Sequence, residues 1–384
     1  MKIILAVAAV AALTGVYMMN QASTTSNVET EFQDFISTYR KSYVNSETYD
    51  MRLNIFKSNL DTIAAMNAEN PDATYAVNEF ADMTTEEFTA LLGYTEEQRP
   101  KNYRNTRGTP TKNDVDWTAD SETTPVKDQK SCGSCWAFSA IETLESAYAI
   151  ANNLSGDDIP TLSEQQFVDC VNEQTHPELN LESAGCNGGW MDDGFKYAKS
   201  FDLCTEEEYP YTAKDGVCQE SKCSLSLGVA EIVDIAEGDS NALLEAIETE
   251  PVAIAVDASS WMFYKGGVHK SSKTQLNHGV VATGFHLEDG KSYFKVRNSW
   301  GARWGMEGHI LLDTVQDSGA SLSASYVQIA GTPTLGEDKC EDGADPDPAA
   351  NCLCTYGAAC DKTKADGENG CKTECGCGEF GFCR

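Results

Sequence analysis

Positive charge is scarce in this chain: 28 Lys and Arg stand against 60 Asp and Glu, a formal net charge of −32 over 384 residues. Nucleic acid and anionic membrane surfaces both demand a basic face, so neither is an expected partner. The imbalance suits an acidic compartment, where carboxylates are partly neutralised and repel one another less. Long apolar runs are also scarce. The run from Ile3 to Leu13, behind Lys2, is too short to span a bilayer comfortably and reads as the heart of a secretory signal peptide over residues 1–22, with a signal anchor as the alternative. No later run is long and apolar enough for a transmembrane helix, so a soluble mature protein in the secretory pathway is expected. Histidine is limited to five residues, which leaves few candidates for imidazole chemistry. Cysteine is absent from Thr30 to Arg107, yet the whole chain holds 15, and a secretory route permits them to pair.

What is present centres on Gln129-Lys130-Ser131-Cys132-Gly133-Ser134-Cys135-Trp136-Ala137-Phe138-Ser139. From Cys135 onward, Ala137, Ile141, Leu144, Tyr148 and Ala151 recur at helical spacing, and Ser131, Gly133 and Ser134 suit a chain entering a helix. Cys135 therefore falls in a first turn, where unpaired N–H groups favour a thiolate, the nucleophilic form of cysteine. The plain alternative is a Cys-x-x-Cys redox or zinc pair. Zinc would need two more ligands at short spacing and a redox pair a βαβ context, and neither surrounds Cys132 and Cys135. Further along, Thr161 to Cys170 reads as a helix capped by Ser163 with Gln166 at the reciprocal position of a capping box. From Val252 the pattern turns to strands: 252–256, 279–285, 293–297 and 309–312. Helices first and strands second imply an α+β molecule whose two halves pack around a cleft.

The Cys-Gly-Ser-Cys-Trp string resembles the active-site segment of papain-like cysteine proteases of the papain and cathepsin L family. Upstream, Arg52, Phe56, Asn59, Ile63 and Asn67 lie three or four apart, on one face of a single long helix. This stripe resembles the family's ERFNIN propeptide pattern, with Thr48 where the leading Glu would stand. Ala76-Val77-Asn78-Glu79-Phe80-Ala81-Asp82 resembles the companion GNFD pattern, with Ala76 for Gly. The resemblance implies a papain-like two-lobe fold, a helical lobe against an antiparallel β-barrel, preceded by a removable inhibitory propeptide at 30–110. The catalytic domain would run over 111–331. Processing is expected near the Pro- and Gly-punctuated stretch Arg99 to Pro110.

A thiolate needs a base and counter-charge. His278 stands at the head of a strand about 140 residues after Cys135, the separation such enzymes show. His269, His286 and His309 lie beside strands without comparable surroundings, and His176 lies in a polar loop, where it is expected to be solvated. By resemblance, Asn298 orients His278, Trp300 covers that pair, and Gln129 donates to the oxyanion together with the backbone N–H of Cys135. Lys130 departs from the usual Gly there, which leaves the loop's shape open. Gly188 and Gly189 let a backbone approach a ligand chain closely, and in the family this segment, with Trp190, binds the substrate main chain. Met191, Ala255, Leu276, Asn277 and Ser323 are expected to line the pocket for the second residue before the scissile bond (P2), favouring a hydrophobic or aromatic side chain. No occluding loop bearing histidine is recognisable, so endopeptidase activity is expected. The insertion from Val171 to Gly185, longer than in typical relatives, has no functional reading from sequence.

The resemblance implies disulfides Cys132–Cys186 and Cys170–Cys218, which leaves Cys204 and Cys223 for each other. The last eight cysteines fall in 340–384, a separate module poor in large apolar residues, where staples replace a core. Their pairing is open among 105 arrangements, and metal binding is the alternative. The expected molecule is a cysteine endopeptidase zymogen, lysosomal, vacuolar or extracellular, without cofactor or metal. Its expected partners are protein or peptide substrates, its own propeptide and cystatin-type inhibitors; it is expected to be a monomer. The rivals are a catalytically inactive binding protein on the same scaffold and a binding or adhesion protein directed by its tail.

Overall fold

In the computed structural model, which describes residues 27–95, 109–119 and 121–330, the cysteine-free N-terminal stretch is largely helical. The expected signal segment, most of the expected linker before Pro110 and the expected module at 340–384 lie outside the described residues. The chain divides into two units, residues 27–89 with 260–267 and residues 90–259 with 268–330.

In the first unit, α1 is described over residues 27–39, α2 spans Ser46–Glu69 and the short α3 spans Thr85–Thr89. Asn45 starts α2 by accepting a hydrogen bond from Thr48 N, so the residue in place of the pattern's leading Glu lies in the capped first turn. The stripe on α2 divides by chemistry. Phe56 packs against Phe32 and Phe35 with ring centroids 5.2 and 5.1 Å away, and Leu53 and Ile63 are buried on the same face. The polar members hold backbone that side chains alone would leave loose. Arg52 forks onto both oxygens of Glu87 and donates to Asp82 O, while Asn59 donates to Ala81 O and Met83 O. Asn67 both accepts from Tyr75 N and donates to Tyr75 O, fixing strand β1 (Ala73–Tyr75). Residues 264–267 pair antiparallel with β1, and Asn78 donates to Met262 O at 2.7 Å.

The second unit is built on a sheet of β2 (Asp114–Asp116), β3 (Val229–Asp234), β4 (Val252–Val256), the end of β5 (Tyr264–Ser271), β6 (His278–His286), β7 (Tyr293–Arg297), β8 (His309–Asp317) and β9 (Ala324–Ile329). Their order is β5-β8-β7-β6-β4-β9-β3, with β2 paired to β6; all pairs are antiparallel except β5 with β8. Against it lies the helical part: α4 (Cys135–Asn152), α5 (Glu164–Cys170), α6 (Met191–Ser200) and α7 (Ser240–Ile247). Helix α4 is buried on nearly every face, which its Ala, Ile, Leu and Phe content permits and which marks it as the central element. Strand β6 can approach its N-terminus closely because Gly279 has no side chain: a Cβ there would stand 3.0 Å from Met191 Sδ and 3.2 Å from Trp136 Cα. Disulfides Cys132–Cys186, Cys170–Cys218 and Cys204–Cys223 tie the helical part together, and Cys135 is free.

Three details depart from the sequence reading. Ser163 caps α5 by accepting from Gln166 N, but the box is not reciprocal: Ser163 N is taken by Cys204 O, and Gln166 turns its amide to Tyr197 Oη, Asp202 O and Cys204 N. His176 is not solvated. It is buried between Glu178 and Glu220, each 3.0 Å from a ring nitrogen, with its ring 4.2 Å from that of Phe201. Strands β1, β2, β3, β5 and β9 join those expected. Among the described residues no helix is long and apolar enough to cross a membrane.

Candidate active site

Cys135 is the first residue of α4, and its Sγ accepts backbone hydrogen bonds from Gly279 at 3.4 Å and from Gly93 at 3.3 Å. The register Val256↔His278 puts His278 first in β6, and Asn298 follows directly on β7, whose Arg297 pairs with Val281 of β6. The two side chains meet: His278 Nε2 lies 2.8 Å from Asn298 Oδ1. That oxygen also accepts from Ser299 N at 2.8 Å, which fixes the amide. Nε2 is therefore the protonated nitrogen, and in the neutral ring Nδ1 carries the basic lone pair. Trp300 stacks on His278 with centroids 4.8 Å apart, and Trp304 meets Trp300 edge-on at 4.8 Å. The Asn-Ser-Trp-Gly string thus sets three consecutive side chains around the histidine and its neighbour Gln129.

The middle one of these is Ser299, which sequence reading missed. Its hydroxyl donates to Gln129 Oε1 at 2.6 Å, and this turns Gln129 Nε2 toward Cys132 O and Leu91 O, both at 2.9 Å. Tyr211 was missed too; its hydroxyl donates to Gln129 O and lies 2.7 Å from Ser134 Oγ, holding the loop before α4. Lys130 answers the open question of that loop: it takes the left-handed conformation, φ 54°, that a glycine would adopt freely. Its N–H is held by Asp128 Oδ1 and its side chain is exposed.

A segment of the chain itself, Ala90 to Thr95, lies across these groups. Leu91 O is on the Gln129 amide and Gly93 N on the Cys135 sulfur. Gly93 O accepts from Gly189 N at 2.9 Å, Tyr94 N donates to Asn277 O at 3.1 Å, and Trp190 Nε1 donates to Thr95 Oγ1. Tyr94 pairs with Gly189 in the parallel sense. The Tyr94 ring is buried in the apolar cluster that holds Met191 and Ala255, with Leu276 packed against it, and its hydroxyl is 3.0 Å from Ser323 Oγ. Asn277 meets this segment through its backbone, and its side chain accepts from Ala258 N and donates to Ser259 Oγ.

Enclosure sets the protonation of the pair. Burial pushes the Cys135 thiol up to about 11, against the opposing hydrogen bonds from Gly279 and Gly93. Burial likewise lowers His278 to about 4, against the support of Asn298. With the cleft filled, burial thus favours the uncharged form of both groups.

The description "Papain family cysteine protease" matches residues 111–328, and "Cathepsin propeptide inhibitor domain (I29)" matches residues 32–88. The chain belongs to the papain family of cysteine proteases. It is a zymogen of that family, with the propeptide inhibitor domain in place. It is 37% identical over 304 residues to digestive cysteine proteinase 3 of Homarus americanus, spanning 76% of this chain and 91% of that one. It is 35% identical to cathepsin L 2 of Paramecium tetraurelia over 81% of this chain and 96% of that one. Among solved structures, digestive procathepsin L2 from the Tenebrio molitor larval midgut superposes with a TM-score of 0.70 at 32% identity, covering 79% of this chain and all of the other.

Proposed function

We propose that the mature protease is an endopeptidase in which Cys135 and His278 act as a thiolate–imidazolium pair once the segment 90–95 has left the cleft. Water and a bound peptide then replace the packing that keeps both groups neutral, and the proton moves from sulfur to His278. The thiolate attacks the scissile carbonyl carbon. Gln129 Nε2 and the Cys135 N–H hold the resulting oxyanion, and removing one such donor typically costs about 3 kcal/mol of barrier. His278 returns the proton to the leaving amine, its ring kept in place by Asn298 and shielded by Trp300. Water, with His278 as base, then releases the acyl group.

The observation that carries this reading is the pairing of Leu91 O with Gln129 Nε2 while Gly93 N meets the sulfur. A peptide backbone already lies on the nucleophile and on the amide donor, but what it offers the sulfur is an N–H, not a carbonyl carbon. Its parallel pairing with Gly189 fits a chain that occupies the cleft without being cut. On this reading residues 30–110 form the propeptide and 111–331 the catalytic domain. Tyr94 supports a hydrophobic or aromatic P2 preference, since a phenol already fills the pocket of Met191, Ala255 and Leu276. Cystatin-type proteins would act as inhibitors in trans, the protease would act as a monomer, and the secretory pathway would carry it to a lysosome, vacuole or the outside of the cell.

Fluorogenic peptide hydrolysis by acid-treated protein, with and without a thiol-directed epoxide, tests the proposal. Activity should appear on treatment, vanish with the epoxide and be absent in Cys135→Ala. Gln129→Ala should lower kcat with little change in KM. Undiminished hydrolysis by Cys135→Ala would sink the assignment.

A further inference from the structure

The insertion from Val171 to Gly185 ends against the backbone of Gly188, Gly189 and Trp190. Along these three residues the polar groups alternate. Gly189 turns both of its groups to the occupied cleft, its N–H to Gly93 O at 2.9 Å and its carbonyl to Thr95 N at 3.5 Å. Its two neighbours turn theirs inward: Gly188 O accepts from Ala184 N at 2.8 Å, and Trp190 N donates to Ser183 Oγ at 3.0 Å. Ser183 is itself fixed. Its hydroxyl donates to Asp193 Oδ2 at 2.9 Å, and the same oxygen accepts from Glu182 N and Ser183 N. Asp193 is fully buried in α6, and its other oxygen takes Lys196 Nζ at 2.9 Å. Contact on the inner side is tight enough to require glycine at 189: a Cβ there would come within 2.5 Å of Ser183 Oγ and 2.7 Å of Trp136 Cε2.

We propose that Ser183, locked by Asp193, is a positioning residue for peptide binding, holding Trp190 N so that Gly189 presents its carbonyl to the substrate main chain. The inward bond at Trp190 and the outward pair at Gly189 belong to one short stretch of extended backbone. Releasing the first allows the peptide plane between Gly189 and Trp190 to rotate, and that plane contains the Gly189 carbonyl. The effect falls on binding shared by ground state and transition state, so it belongs in KM. The proposal gives the insertion its purpose, as it supplies both inward anchors, Ser183 and Ala184. It rests on the reading that Gly189 pairs with substrate.

The experiment compares two fluorogenic peptides on the acid-activated enzyme: an ordinary one, and one in which an ester replaces the amide N–H that the Gly189 carbonyl accepts. Ser183→Ala should raise KM for the ordinary peptide about five- to tenfold, the worth of one hydrogen bond. It should leave kcat within about twofold and change KM for the ester far less. Asp193→Asn keeps an oxygen for the two N–H groups but holds the Ser183 hydroxyl less firmly; it should show the same selective rise at about two- to threefold. The second variant keeps the test decisive if Ser183→Ala folds poorly. Equal losses on both peptides, a fall in kcat alone, or an unchanged KM in both variants would overturn the proposal. If the unmodified enzyme itself fails to distinguish the two peptides, the pairing of Gly189 with substrate is at fault; if it distinguishes them and the variants do so equally well, the Ser183 proposal alone fails.

Discussion

At the scale of single residues, Gly93 is the tightest point of the blocked cleft. A Cβ there would lie 1.8 Å from Gly133 O, backbone that is itself held by Gly133 N on Cys186 O and by the adjacent Cys132–Cys186 bridge. Gly93→Ala therefore forces the segment off the sulfur, at a cost of about 1–3 kcal/mol. The uncleaved precursor should show roughly tenfold more peptidase activity or thiol alkylation than the unmodified precursor at the same pH. Unchanged alkylation would mean that Gly93 does not hold the block. Ser323 is the second test. If its hydroxyl recognises a phenol as it meets Tyr94, the enzyme should prefer Tyr to Phe at P2, and Ser323→Ala should erase about a fivefold preference in kcat/KM. These two sites also mark what sequence could tell. The places of Cys135 at the start of a helix and of His278 at the start of a strand were legible, because the helical and the strand patterns begin at those residues. Ser299, Tyr211 and Gly93 were not, because an orienting hydroxyl and a glycine at a close approach look like any other serine, tyrosine or glycine until the backbone brings them to their partners.

At the scale of elements, α2 was legible from its stripe, but the purpose of its polar members was not. Periodicity reports which residues share a face, and it cannot say that Asn59 and Asn67 will serve backbone groups of a following irregular stretch. Asn59→Ala removes two bonds, to Ala81 O and Met83 O, and leaves both carbonyls short of a donor in a partly buried place. It should destabilise the first unit by about 2 kcal/mol, read as earlier loss of this unit in thermal or denaturant unfolding of the precursor. A midpoint within error of the unmodified protein would show that water replaces the amide at no cost. The strands divide in the same way. β4, β6 and β7 read clearly because Val, Ile and Phe run through them. β5, Tyr-Lys-Gly-Gly-Val-His-Lys-Ser, carries two glycines and two lysines, and its place comes from partners distant in sequence rather than from its own propensity. His176 was misread for a related reason: a polar loop composition says nothing of the Phe201 and Tyr197 rings that enclose the imidazole.

At the scale of the whole molecule the acidic excess reappears inside the second unit. Lys127 holds Glu145 at 2.7 Å and Glu164 at 2.5 Å, and Arg297 holds Glu142 at 3.2 Å, all of these side chains being at least largely buried. Three carboxylates thus share two cations, and low-dielectric surroundings favour keeping one proton among them. Burial raises Glu142 to about 7 in spite of Arg297, and raises Glu164 as well in spite of Lys127. A carboxyl whose folded pKa lies above its unfolded one binds protons more tightly in the native state. The native state is then at no disadvantage below the unfolded value of 4.5, and stability falls as pH rises from there to about 7. The loss is about 2–3 kcal/mol for a single carboxyl shifted over that interval. Buried His269, His278 and His309 work in the opposite sense, since their folded pKa values lie below the unfolded one and their contribution rises with pH over much of the same interval, so the carboxyl cluster is read from the change that a variant makes in the pH dependence of melting. Glu142→Gln keeps an oxygen for the Arg297 guanidinium and removes the titrating group, so its melting temperature relative to the unmodified protein should be higher at neutral pH than in mild acid. Conversely, a variant that melts with the unmodified slope would move the origin of the dependence away from this cluster.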